Sequence, residues 1–192
     1  MNNIISNIKS EIMVRNDKYM SEVQDYDFWN EHISLVIKNS LELAKKFDAD
    51  KEIVELGSLL HDISLVSNIG SRADHHEQGA KIAVELLEKY GYPDDRIERV
   101  RKCVLNHRSS LNSTSIEETC VADGDILSHF DNLPMIFQKA FVLEKMNMVE
   151  AKIFIRKSIE KDFNDLSQKT KEATQARYDN ILKAIFNEVD YR

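Results

Sequence analysis

The sequence predicts an all-α fold, a single-domain bundle of helices. Only five glycines and two prolines, Pro93 and Pro134, occur in 192 residues. Both residue types punctuate turns, and β-rich folds need many turns, so their scarcity points to long helices. Apolar residues also recur at the three- and four-residue spacing that places them on one helical face. No internal repeat, low-complexity segment or linker interrupts the chain.

Ile4, Ile5, Ile8, Ile12 and Met13 define an N-terminal amphipathic helix. A polar, aromatic stretch from Asp25 to Trp29 leads into a second helix with Ile33, Val36, Ile37, Leu41 and Ala44 on its apolar stripe. Asp48 to Asp50 mark its exit. Ile53, Val54, Leu56, Leu59 and Leu60 form a third helix that ends on His61 and Asp62. A loop from Ser67 to Asp74 precedes helices from about His75 to Tyr90 and from Asp94 to His107, with the turn Gly91-Tyr92-Pro93 between them and Asp94 as the expected cap. Arg108 to Ser115 reads as a loop and Ile116 to Phe130 as a helix. Helices over Met135–Glu144, Val149–Leu166 and Thr170–Val189 complete the chain. The expected domain is 1–192, with its core over about 27–130 and the helices of 135–189 packed on it. Those last apolar stripes suit either cover for the core or the contact of a homodimer.

Hydrophobic residues make up 42% and charged residues 31%, the balance of a soluble globular protein. The formal net charge of −7 disfavours nucleic-acid polymers and anionic membranes as partners. A small phosphorylated molecule stays open, because local positive charge or a metal overrides the global field. Cys103 and Cys120 are too few for a disulfide framework or a thiolate zinc site and read as buried thiols. No signal-like opening and no membrane-length apolar run occur, so a cytoplasmic location is expected.

Chemistry concentrates in six histidines, at positions 32, 61, 75, 76, 107 and 129, each near a predicted helix end or helix–loop junction. Helical bundles build metal sites from side chains on facing helices. A short connection makes the second and third helices antiparallel neighbours, so His32 and His61 can meet. His61-Asp62 is the sharpest local signal. Adjacent residues on a regular helix point about 100° apart, so both reach one ion only at a fraying end or from opposite sides. Taken alone, the pair reads as a packed histidine beside a helix-end acid.

The wider pattern is more specific. His32, then Leu59-Leu60-His61-Asp62-Ile63, then Val121-Ala122-Asp123-Gly124-Asp125 resembles the HD-domain superfamily of metal-dependent phosphohydrolases, in particular its small stand-alone hydrolases. The resemblance runs from about Asp27 to Phe130. It implies His32, His61, Asp62 and Asp123 as metal ligands; Asp125 competes with Asp123 for the last place and otherwise gives support or caps a helix. His75-His76-Glu77-Gln78-Gly79-Ala80 resembles the family's His-x-x-x-Gly segment, and Val104-Leu105-Asn106-His107 the histidine that ends its next helix. His75 or His76, together with His107, would complete a second metal site, or would contact phosphate and transfer protons. The mixed nitrogen and oxygen donors suit Mn, Fe, Co, Ni, Zn or Mg, as one ion or two.

The implied activity is hydrolysis of a nucleotide or other small phosphoester. Asp62 would orient the attacking water, and His75, His76 or His107 would steady the phosphate or protonate the leaving group. Lys38, Arg72 and Arg108 flank these positions as phosphate clamps, although exposed helix-end charge is an equal reading of each. His129 is expected to pack beside Phe130. Ser64 replaces the glycine that often follows His-Asp-Ile, and Ser64-Leu65-Val66 lacks the acidic pair of alarmone hydrolases, so neither cyclic dinucleotides nor alarmones are implied as substrates. Two other readings use the same residues: a di-iron oxygenase and a non-catalytic metal-binding signalling module.

Overall fold

A computed structural model describes residues 4–22 and 26–186 of the chain, and among these every regular element is helical. The Asp25 end of the polar stretch and residues 187–189 of the last predicted helix lie outside the described residues.

Helix α1 (Ile4–Glu22) buries Ile8 and Ile12, the centre of its predicted stripe. A five-residue π-helical segment, Trp29–Ile33, then runs directly into α2 (Ser34–Phe47). Such widened turns shift side chains out of the regular 3.6-residue register, and this one carries His32. Asp48 ends α2 in the left-handed conformation at φ 57°. The Asp50 carboxylate accepts from the Ile53 N–H and caps α3 (Lys51–Leu60). Short α4 (Ile63–Val66) occupies what the sequence pattern left between His-Asp and the loop.

Helices α5 (His75–Lys89) and α6 (Asp94–Asn106) pack against each other across the Gly91 turn. Pro93, not Asp94, holds the N-cap position of α6. Its extended backbone suits that place, and Asp94 and Asp95 fall in the first turn, where negative charge complements the exposed N–H groups. The loop after α6 contains a 3₁₀ turn at Ser110–Asn112.

Helix α7 (Ile116–Asp131) is the axis of the bundle, because every residue from Cys120 to Ser128 is buried. A helix buried on all sides must be enclosed, and α2, α3, α6 and α9 surround it. Gly124 permits the closest approach: a Cβ there would lie 2.8 Å from the Ser40 backbone nitrogen on α2. Pro134 occupies the first turn of α8 (Leu133–Gln138), and a second π-helical segment follows at Lys139–Leu143. An Asn147–Glu150 capping box starts α9 (Met148–Asp165), whose Ile155, Ile159 and Phe163 join the core. The last described helix is α10 (Gln168–Phe186). Cys103 and Cys120 are both free and buried. No helix among the described residues is long and apolar enough to cross a membrane.

Candidate metal centre

The chain breaks its helix at the His-Asp pair. His61 closes α3, and Asp62 adopts φ −106° and ψ 20° before α4 begins. This bridge-region conformation removes the 100° separation of a regular helix, so both side chains reach one interior cluster. His32 arrives from the π-helical segment, His75 from the first position of α5, His107 from the end of α6 and Asp125 from α7. All six side chains are buried.

Asp62 stands between two histidine pairs. Its Oδ2 lies 3.5 Å from His32 Nε2 and 3.7 Å from His61 Nε2. Its Oδ1 lies 3.3 Å from His75 Nε2 and 3.7 Å from His107 Nε2. Within each pair the two Nε2 atoms are 3.0 Å apart. Asp125 Oδ1 adds a second carboxylate 3.2 Å from His32 Nε2 and 3.9 Å from His61 Nε2.

The outer nitrogens fix which atoms face inward. His61 Nδ1 lies 2.7 Å from the Ser58 carbonyl, His75 Nδ1 2.9 Å from that of Arg72, and His107 Nδ1 2.6 Å from that of Val104. A carbonyl only accepts, so each Nδ1 carries a hydrogen and each ring turns its Nε2 inward, where it offers a lone pair whenever that nitrogen is unprotonated. Ser128 does the same for His32. Its hydroxyl donates to the Asp125 carbonyl at 2.6 Å, and its oxygen accepts from His32 Nδ1 at 3.1 Å. Lone pairs facing each other at 3.0 Å repel unless a cation lies between them. Two nitrogens each about 2.1 Å from one ion at a right angle would be separated by about 3.0 Å. The donor set therefore fits divalent metal, with one group formed by His32, His61 and Asp62 and another by Asp62, His75 and His107.

The electrostatics agree. Burial pushes the Asp62 carboxyl up, but the charge of His61 and the hydrogen bond with His32 hold it well below the usual range. Asp125 is likewise held down, against burial, chiefly by His32. Burial pulls His32 down, yet Asp125 and Asp62 raise it to about 10, so a proton on this ring balances the carboxylates when no cation does. Burial and the charge of His61 lower His107 to about 4, which keeps that ring neutral at pH 7.

Asp123, the expected last ligand, faces away from the histidines. Its carboxylate accepts from the Ser167 N–H at 2.9 Å, the Ser167 hydroxyl at 2.5 Å and the Thr170 hydroxyl at 2.6 Å, tying α7 to the start of α10. Residues two apart on a helix point about 200° apart, so only one acid of the Asp-Gly-Asp segment can enter the cluster, and Asp125 does. The sequence held a signal for this, since Ser128 and His129 follow Asp125 by three and four residues and share its face.

His129 does more than pack beside Phe130. Its ring stacks on that of His32 at 5.9 Å, its Nδ1 lies 3.0 Å from Asp162 Oδ2, and its Nε2 lies 3.8 Å from Asp125 Oδ1. Ser128, His129 and Asp162 are thus site residues that the sequence reading missed. Burial, then the charges of Asp62, Glu31 and Asp125, raise the Tyr26 hydroxyl pKa, and Arg72 opposes the shift.

Of the adjacent pair His75 and His76, only His75 enters the cluster. The His76 ring sits 5.7 Å from that of His75, and burial, with the charge of Arg108, lowers its pKa. Arg72 and Arg108 are exposed, and Arg108 donates to the Ala73 carbonyl at 3.2 Å. Lys38 is exposed on α2 and is not among the gathered residues.

Comparison with known proteins agrees with this geometry. The HD domain family model matches residues 30–129, the span from His32 to His129. A predicted HD superfamily hydrolase from an uncultured Thermotogales bacterium shares the fold with a TM-score of 0.57 and 23% identity, covering 79% of this chain and 84% of that one. A Listeria innocua protein superposes with a TM-score of 0.61 at 21% identity, covering 96% of this chain and 98% of its own. An HD-superfamily hydrolase from Bacillus thuringiensis gives 0.61 at 16% identity, covering 96% and 100%. A tRNA (cytidine(56)-2'-O)-methyltransferase of Picrophilus torridus is 27% identical over 135 residues, 66% of this chain, and the chain spans 39% of that curated relative's length. With more than half of its length matched by the family model, this chain belongs to the HD domain family.

Proposed function

We propose that the protein is a metal-dependent phosphohydrolase acting on a small phosphorylated molecule. The observation that carries the reading is the pair of facing imidazoles on each oxygen of Asp62, with Nε2 lone pairs directed inward. Such a cluster is costly to bury without a cation. A divalent ion, when bound, lowers the pKa of a coordinated water from about 15.7 toward about 7 and polarises a phosphoryl oxygen.

The chain's own groups supply the rest. Asp62 joins the two histidine pairs, and Asp125 completes the first. His75 and His107 have Nδ1 spent on backbone carbonyls, which suits each to holding metal through Nε2 rather than to proton transfer. His129 is held by Asp162 through Nδ1 and presents Nε2 beside Asp125. That position suits delivery of a proton to the leaving oxygen. Arg72 and Arg108 offer forked donors for phosphate oxygens.

Elemental analysis of the purified protein, coupled to a phosphoester panel, tests the reading. Wild type should carry divalent metal and release phosphate, and His61→Ala and Asp62→Ala should lose both. Unchanged metal content in both variants would overturn it. The same residues would also hold two irons, and substrate-dependent oxygen uptake without phosphate release would favour an oxygenase instead.

A further inference from the structure

Two consecutive residue pairs straddle one wall of the metal centre. His75 enters the cluster while His76 lines a neighbouring cavity of about 470 Å³, and His107 enters the cluster while Arg108 lines the same cavity. The pairs come from α5 and from the end of α6, so the cavity is fixed beside the His75–His107 half of the centre.

Its walls are built for an anion. Arg108 and Lys161 bring positive charge, and Ser109 and Asn112 bring neutral donors, while the Asn106 amide already donates to Glu118 at 2.8 Å. Asp165 also lines the cavity and takes the Lys161 ammonium at 2.5 Å. The net charge offered is therefore that of Arg108. One of its five N–H donors goes to the Ala73 carbonyl. His76 also lines the cavity, although its Nδ1 is itself buried and without a hydrogen-bond partner. Leu105 is the one aliphatic residue of the lining, so polar groups dominate the walls.

We infer that this cavity is a second anion subsite, which binds a non-scissile phosphate or carboxylate of a substrate whose scissile phosphate lies at the metal centre. The inference rests on the phosphohydrolase reading and narrows it to compact phosphoesters with two anionic groups. Arg108 makes the principal contact, and the neutral donors of the wall orient the group.

Matched probes test this with the metal-loaded full chain. Fructose 1,6-bisphosphate is compared with fructose 6-phosphate, 3-phosphoglycerate with glycerol 3-phosphate, and adenosine 5′-monophosphate stands for the base-recognising alternative. A charged hydrogen-bonding pair predicts kcat/KM about tenfold or more higher for the doubly anionic member of a pair. Preference in the first pair identifies phosphate as the second group, and preference in the second pair identifies carboxylate. Arg108→Gln should collapse that ratio toward one through KM, and Arg108→Lys should restore part of it. Calorimetric titration of the same probes separates the two claims. Selective binding of the doubly anionic probes that Arg108→Gln abolishes, without turnover, would keep the subsite and sink the hydrolase reading. Equal turnover and equal binding within each pair, or a preference for adenosine 5′-monophosphate over every other probe, would overturn the subsite.

Discussion

His75 Nε2 lies 3.0 Å from His107 Nε2, and the hydrogen of each ring is already spent on a backbone carbonyl. His32 and His61 repeat the arrangement on the other oxygen of Asp62. Removal of single ligands should therefore divide the metal content. His75→Ala or His107→Ala should remove one bound equivalent and His32→Ala or His61→Ala the other, while Asp62→Ala removes both. Metal-to-protein ratios after dialysis check this, and equal loss from all four histidine variants would argue for a single ion.

The two acids of α7 should separate by phenotype. Asp125→Asn should weaken metal binding by about tenfold or more while leaving the fold intact, since ligand-shell changes of this kind cost about 10–100-fold. Asp123→Asn should retain metal and lose about 1–3 kcal/mol of stability, because the Ser167 and Thr170 hydroxyls would lose a charged acceptor. Metal titration and urea denaturation of both variants measure the contrast.

Gly124 and Gly91 should respond differently to alanine. A Cβ at Gly124 meets backbone at 2.8 Å from Ser40 nitrogen, and α2 cannot retreat without moving His32. Gly124→Ala should cost about 1–3 kcal/mol, as overpacking does, and should also weaken metal binding. Gly91 has nothing within 4 Å but sits at φ 67°. Gly91→Ala should cost about 1 kcal/mol from backbone strain alone and leave metal affinity unchanged. Thermal melts with and without added metal distinguish the two.

Acid should loosen the far end of the bundle through Asp50. Burial raises its carboxyl, but Arg96 and the Ile53 N–H, with the charge of Arg99, bring it below the usual value. A depressed folded-state pKa contributes stability that is present above the unfolded value, about 3.9, and is lost as pH falls through the folded one. The urea midpoint should accordingly drop below about pH 4. Asp50→Asn should lower the midpoint at pH 7 and flatten part of that drop, and parallel pH curves for variant and wild type would exclude Asp50 as a source.

The sequence by itself determined the helical class, the element order and the identity of most of the centre. Scarce Gly and Pro and the 3.6-residue apolar period are local properties, so helices such as α3, α5 and α6 were readable within a few residues. The spacing from His32 through His61-Asp62 to the Asp-Gly-Asp segment likewise pointed to the metal pattern. Facing direction was not local. Asp123 and Asp125 are equivalent in composition, and only the packing of α10 against one side of α7 and of the histidines against the other turns Asp125 inward. The break at Asp62, the π-helical segment under His32 and the split of His75 from His76 were decided in the same way. Each depends on where neighbouring helices leave space and donors, and that is a property of the assembled bundle.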